Sequence, residues 1–314
     1  MSVKYFDFEY ELKEIDLAIE ILKSDLETDS VQIHTLEDKK KDILQHVYKN
    51  LTPWQTTQVA RHPNRPSFVE YTQSMFSEFI EIHGDRLYGD DKSIITGWAT
   101  LGGEKFMVIG QEKGKDTLSR VKCNFGMSNP EGYRKALRVA KIAEKFNKPI
   151  LTFVDTPGAY PGIGAEERGQ GEAIAKNIME FFGIKTPIIS IVIGEGGSGG
   201  ALGIAVADKV FILEHSIYSV ISPESCASIL WHDSKKAQQA SEALKYTPHY
   251  LKEFKVVDQI IPEPIGGAHR DQQLMMDTLS ENILSSMVLL KKKNMTKLLN
   301  ERYDRFRNIG YYTN

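Results

Sequence analysis

Two apolar runs, PILTFVD (149–155) and TPIISIVI (186–193), each stop abruptly at a glycine-rich stretch. The first stops at TPGAYPG (156–162) and the second at GEGGSGGA (194–201), which holds five glycines within its first seven residues. Neither run alternates apolar with polar residues. A strand apolar on both faces is one covered on both faces, the condition of parallel sheets flanked by helices. Helical periodicity separates them, over Glu131 to Phe146 and over Glu166 to Phe182. The alternation predicts a buried, largely parallel sheet with both glycine stretches at the carboxyl ends of strands, where open α/β folds bind ligands.

Further strands are expected at 94–101 and 105–110, joined at Gly102–Gly103 as a hairpin, and at Lys209 to Leu213, after a short helix from Ala201 to Ala207. Phe68 to Ile82 has the pattern of one helix. Residues 52–66, with three prolines and no period, resemble a linker, and residues 270–309 a long charged helical end. Residues 1–51 are charged and glycine-free. Leu12, Ile15, Ile19, Leu22 and Leu26 form one helical stripe, which Asp29 and Ser30 end before a second helix. The division predicted is 1–51, a helical hairpin or arm docking on its own domain or on another subunit, and 52–314, a single large domain.

Composition removes several classes. A net charge of −3 offers no field for nucleic acid. Two cysteines, Cys123 and Cys226, sit in no ligand spacing, which predicts a reducing compartment without disulfide or zinc framework. No run of about 18 apolar residues suggests a membrane span, and the acidic start MSVKYFDFEYELKE has no apolar signal core. A cytoplasmic protein is expected.

The glycines of 194–201 admit several chemistries. A Walker loop needs a lysine the stretch lacks. GEGGSG fits a dinucleotide fingerprint, but the helix after it is short for that unit. GGSGG (196–200) satisfies the G-x-S-x-G elbow, making Ser198 a candidate nucleophile with Asp208, His215, His232 and His249 downstream. Against this, an elbow needs two glycines around its serine. The surplus favours a loop whose backbone N–H groups do the work, as in an oxyanion hole. A tight turn without chemistry is the remaining alternative.

Long blocks then carry a resemblance. DTPGAYPG (155–162), GAEERGQ (164–170), GEGGSGGAL (194–202), YSVISPE (218–224), PEGYRKALR (130–138) and IIPEPIGGAHR (260–270) resemble the carboxyltransferase alpha subunits of bacterial acetyl-CoA carboxylase. So do RHP (61–63), GDR (84–86) and NFGM (124–127), in order along nearly the whole chain. Gly171 and Cys123 depart from that pattern without touching the glycines.

The resemblance implies an α/β crotonase-like fold of repeated ββα units with helical extensions. It implies an α2β2 carboxyltransferase whose beta subunit carries the zinc, with no metal and no covalent cofactor on this chain. Carboxybiotin would arrive on the biotin carboxyl carrier protein, charged by biotin carboxylase in an ATP-dependent step. Its carboxyl group passes to acetyl-CoA to give malonyl-CoA for fatty acid biosynthesis. Carried over by position, Gly199 and Gly200 supply oxyanion N–H groups, on the biotin side by analogy with fused enzymes. Gly197 and Ser198 form the turn, and Gly158, Ala159 and Tyr160 the opposite wall. No protein base is implied, since released biotin takes the acetyl proton. Bulky replacement of Gly199 or Gly200 is expected to lower turnover without harming assembly. Two rivals stay open: a serine hydrolase using Ser198, and a non-catalytic scaffold.

Singly, Arg134, Lys135 and Arg138 share a helix face and, with Arg120 and Lys122, are phosphate candidates. Each is equally explained as solvated surface. Glu166, Glu167 and Arg168 suit a helix start, Asp155 a turn cap, and Glu195 a support for the glycine loop. His215 and His232 are expected to be structural, Trp54 and Trp231 packing or interface residues, and Lys291 to Lys293 a solvated helix end.

Overall fold

The computed structural model describes residues 5–24 and 30–311; the calls on Leu26 and Asp29 lie outside them. The N-terminal segment forms helices α1 (Tyr10–Ser24) and α2 (Ser30–Lys49). Leu12, Ile15 and Ile19 are buried along the first, Leu44 and Tyr48 along the second. The hairpin docks on its own chain. Arg270 donates to the buried Glu9 carboxylate at 2.5 Å, Tyr48 Oη donates to the same carboxylate at 2.9 Å, and the Phe6 ring meets His62 edge-on.

The stretch expected to link is ordered. Thr52 caps α3 (Pro53–Ala60) with Pro53 at its first position, where a missing N–H costs nothing. Helix α4 (Phe68–Met75) ends earlier than its pattern suggested. Residues 78–81 leave it to become β1 (Glu78–Glu81), an edge strand paired antiparallel with β2 (Ile94–Leu101). β2 turns through Gly102 and Gly103, both at positive φ as a two-residue hairpin requires, into β3 (Glu104–Gln111). Helices α5 (Thr117–Lys122) and α6 (Pro130–Lys145) follow, then β4 (Ile150–Thr156). The expected single helix after the first glycine stretch is split into α7 (Ile163–Glu167) and α8 (Gln170–Gly183) by Gly169 at φ +80°.

β5 (Ile188–Gly197) runs on through most of the second glycine stretch, and α9 (Ser198–Ala205) starts at Ser198 rather than Ala201. After β6 (Lys209–Leu213) come β7 (Ile217–Ser219), α10 (Pro223–Trp231), α11 (Ala237–Leu244), α12 (Pro248–Glu253) and β8 (Gln259–Ile261). Two helices close the chain, α13 (Gln272–Lys291) and α14 (Met295–Arg307).

The sheet order is β1-β2-β3-β4-β5-β6-β8, with β7 pairing the far end of β5. From β3 onward every pairing is parallel. The strands are apolar on both faces because both are covered. Tyr133, Ala136, Val139 and Ile204 pack on one side, Phe68, Met275, Leu279 and Ile283 on the other. The helical C-terminal region is therefore core as much as charged surface. No described helix is long and apolar enough to cross a membrane.

Candidate active site

The carboxyl ends of β4 and β5 do not run in simple register. Val154 pairs with Val192, and the next pair is Thr156 with Gly196, so β4 advances two residues while β5 advances four. Such a bulge leaves backbone groups without ladder partners and re-aims the strand. Side chains take up those groups. Arg65 Nε donates to the Ile193 carbonyl at 2.7 Å, and Asp155 Oδ1 accepts the Glu195 N–H at 2.9 Å.

Charge surrounds this bulge. Lys113 Nζ bridges Asp155 at 2.7 Å and Glu195 at 3.2 Å, while Arg61 joins Glu195 to Glu224. Burial raises the Glu195 carboxyl, but Lys113 and Arg61 outweigh burial and hold it below the ordinary range. Arg65 forms a buried bidentate pair with Glu263 at 2.5 and 2.9 Å. Burial raises that carboxyl also, yet Arg65 and then His215 bring it down to about 2.

Four of the five glycines have steric reasons. A Cβ at Gly194 would lie 2.6 Å from Asp155 Oδ1, at Gly196 2.7 Å from the Tyr218 ring, and at Gly197 2.1 Å from the Pro157 carbonyl. At Gly200 it would meet the Gly158 carbonyl carbon at 2.4 Å and the Ala159 nitrogen at 2.5 Å. Gly199 differs: its nearest neighbour would be Ile174 Cγ2 at 3.6 Å, an ordinary contact. The glycine surplus thus has a packing cause, which sequence reasoning had credited to backbone chemistry. Only Gly199 lacks one.

The expected residues do come together. Gly200 lies against the Gly158–Ala159 peptide, and Gly197 against Pro157. An α-helix leaves its first N–H groups without an intrahelical acceptor, and Gly197 has no side chain with which to cap α9. The Ala159 N–H makes no hydrogen bond among the described residues, whereas the Tyr160 N–H is committed to the Ser128 carbonyl. The Tyr160 ring folds back over Gly162. Ser198 is exposed at φ +50°, and its hydroxyl bonds to no histidine or carboxylate among the described residues. His215 packs on Tyr48, and His232 ends α10 in a left-handed conformation, so the triad lacks its partners.

A cavity of about 220 Å³ adjoins the bulge, walled in part by Arg61, Arg65, Lys113, Lys115, Arg120 and Pro157. Gly199 and Gly200 are not among its walls. Lys115 is paired with Glu70, but Arg120 pairs with no carboxylate among the described residues, and its Nε donates to the Gly114 carbonyl at 3.3 Å. Three of the other phosphate candidates are occupied. Arg134 pairs with Asp85, Lys135 is buried against Asp90, and Arg138 binds the Gly84 carbonyl. Lys122 points to solvent. Arg168 pairs with Glu131 and covers the Tyr88 ring. No group of three or more metal-ligating side chains occurs among the described residues.

Comparison with known proteins gives a consistent result. The family model described as acetyl co-enzyme A carboxylase carboxyltransferase-like matches residues 5–310. The alpha subunit of acetyl-coenzyme A carboxylase carboxyl transferase from Geobacter metallireducens is 51% identical over 317 residues, covering 99% of each chain. That from Edwardsiella ictaluri is 49% identical, covering 99% of this chain and 100% of its own. Among solved structures, a transcarboxylase 12S core (TM-score 0.54, 17% identity) covers 69% of this chain and 43% of its own. A Pseudomonas malonate decarboxylase hetero-tetramer in complex with coenzyme A (TM-score 0.54, 13% identity) covers 70% and 89%. These two share the fold, in keeping with the crotonase-like expectation. With a family model over residues 5–310 and relatives about half identical across 99% of its length, the chain belongs to the family of acetyl-coenzyme A carboxylase carboxyltransferase alpha subunits.

Proposed function

We propose that the turn Gly197–Ser198–Gly199–Gly200, with the facing loop Gly158–Ala159–Tyr160, is this chain's half of the carboxyltransferase site. The carrying observation is Gly199: every other glycine of the turn is required by packing, and at this one, in the first turn of α9, a Cβ would meet only Ile174 at an ordinary 3.6 Å. Its N–H and that of Gly200 would stabilise negative charge on the ureido oxygen of biotin. From the other loop, the Ala159 N–H, unbonded among the described residues, is the donor available to join them. Neither loop carries a histidine, so the chain's part is to bind and orient.

Carboxybiotin, brought by the biotin carboxyl carrier protein after its ATP-dependent carboxylation, supplies the carboxyl group. Acetyl-CoA receives it, and the product is malonyl-CoA for fatty acid biosynthesis in the cytoplasm. The partner is a zinc-bearing beta subunit in an α2β2 assembly. One feature favours a shared site. Leu118, Val121, Phe125, Ile163 and Val220 stand exposed on the segments that flank the two loops.

The test is malonyl-CoA-dependent carboxylation of biocytin by this chain mixed with its partner, comparing wild type with Gly199→Ala. The added methyl group lies at an ordinary 3.6 Å from Ile174 Cγ2, so the fold is kept while bulk is added at the turn. Losing one oxyanion donor lowers turnover about 10²–10³-fold; Gly199→Ala keeps its N–H and crowds the turn, so a smaller but clear loss of turnover with no loss of stability is expected. Wild-type turnover in this variant would overturn the assignment.

A further inference from the structure

We infer that Gln111 is a positioning residue for this site, a single buried amide that fixes the two loops relative to each other. The inference rests on the oxyanion reading above. Gln111 is the last residue of β3 and has no solvent exposure. The β3–β4 ladder ends one residue earlier, at Gly110 with Phe153. Where the main chain stops pairing, the side chain continues: Gln111 Oε1 accepts the Asp155 N–H at 3.2 Å. Its other end crosses to α9, where Nε2 donates to the Gly200 carbonyl at 2.8 Å. One partner is a donor and the other an acceptor, so only one orientation of the amide satisfies both.

The consequence is geometric. Asp155 belongs to the strand that delivers Gly158 and Ala159, and its carboxylate anchors the bulge that delivers Gly199 and Gly200. Gln111 holds the backbone of both. Tyr133 Oη reaches the same Gly200 carbonyl at a weaker 3.3 Å and contacts only one loop. Aligned donors separated from their productive positions by about 1 Å lose on the order of 10²-fold in rate, so a tie between the two donor-bearing loops acts on turnover without touching substrate.

Two variants test it in the assembled complex. Gln111→Met keeps the volume and removes both bonds. It is expected to lower kcat about 10-fold or more while KM for both substrates stays within about twofold. Gln111→Glu keeps the shape but, when ionised, sets a carboxylate against the Gly200 carbonyl. The titratable groups around that position are Tyr133, Asp155, Glu195, Glu112 and Lys113. Burial raises a carboxyl pKa, and the neutral acid can donate to Gly200 again. The deficit of this variant relative to wild type is therefore expected to shrink as pH falls. Amide exchange over residues 157–160 and 194–201 should quicken in both variants while the sheet interior is unchanged.

Wild-type kcat in Gln111→Met, or losses that only track the folded fraction, or a pH-independent deficit in Gln111→Glu, would each overturn the inference. If wild type itself shows no carboxylation with its partner, the oxyanion reading fails separately. Unchanged exchange in both loops would then dispose of the tie as well.

Discussion

Two adjacent residues, Gly199 and Gly200, are chemically identical and structurally opposite. A side chain at Gly200 must displace the Gly158–Ala159 backbone, so the expectation that bulk there would spare assembly does not hold. Gly200→Val is expected to lower the thermal midpoint and the yield of assembled complex, measured by calorimetry and size-exclusion chromatography. Gly199→Ala should leave the midpoint unchanged or raise it, since Gly→Ala at a compatible site stabilises by about 0.4–1 kcal/mol. Ser198 completes the contrast. Its left-handed φ is one that glycine adopts without strain, so Ser198→Gly is expected to stabilise the chain. Ser198→Ala should keep carboxyl transfer intact, an outcome that a hydrolase could not survive. The glycines were legible in the sequence as a group. Which of them faces a ligand was not, because that depends on what packs behind each one. Gln111 and Arg65 were missed for a similar reason. Nothing in their local sequence says that a bulge between β4 and β5 will leave carbonyl and N–H groups for them to take.

At the level of elements, the parallel strands β4, β5 and β6 could be read from their apolar runs, since double-sided burial leaves no polar alternation. The short strands β1, β7 and β8 could not. They are three or four residues long and borrow their pairing from neighbours already in place. The final helix shows how far charge can mislead. Arg302 on α14 is buried, donating to both oxygens of Asp208 at 2.9 and 2.8 Å and to the carbonyls of Phe181, Ile184 and Thr186. Arg302→Met strands the Asp208 carboxylate and three carbonyls. Breaking one side of a buried pair costs about 3–5 kcal/mol, and chemical denaturation should show a loss on that scale.

For the whole molecule, acid is the informative perturbation. The Glu263 carboxyl ordinarily titrates at 4.5 and is held at about 2 in the folded chain. Asp85, where burial is outweighed by the backbone N–H groups of Leu87 and Tyr88 and by Arg134, falls from 3.8 to about 2. A depressed folded-state pKa means stability that is present above the unfolded value and lost as pH falls through the folded one. Stability should therefore drop steeply between about pH 4.5 and 2. Glu263→Gln, which leaves Arg65 without its counter-charge, should be less stable at neutral pH and show a shallower acid limb. Assembly supplies the other whole-molecule test: biocytin carboxylation should require the mixture of subunits and be absent from either alone.

The reach of Arg302 also has a consequence in time. Asp208 waits 94 residues for its partner. At about 5–20 residues per second, a ribosome takes on the order of 5–20 s to deliver it. During that interval the Asp208 carboxylate has the Ile188 N–H, while the carbonyls of Phe181, Ile184 and Thr186 lack the guanidinium that later binds them. The nascent sheet can assemble its apolar layers early, but it cannot be sealed until the last helix emerges.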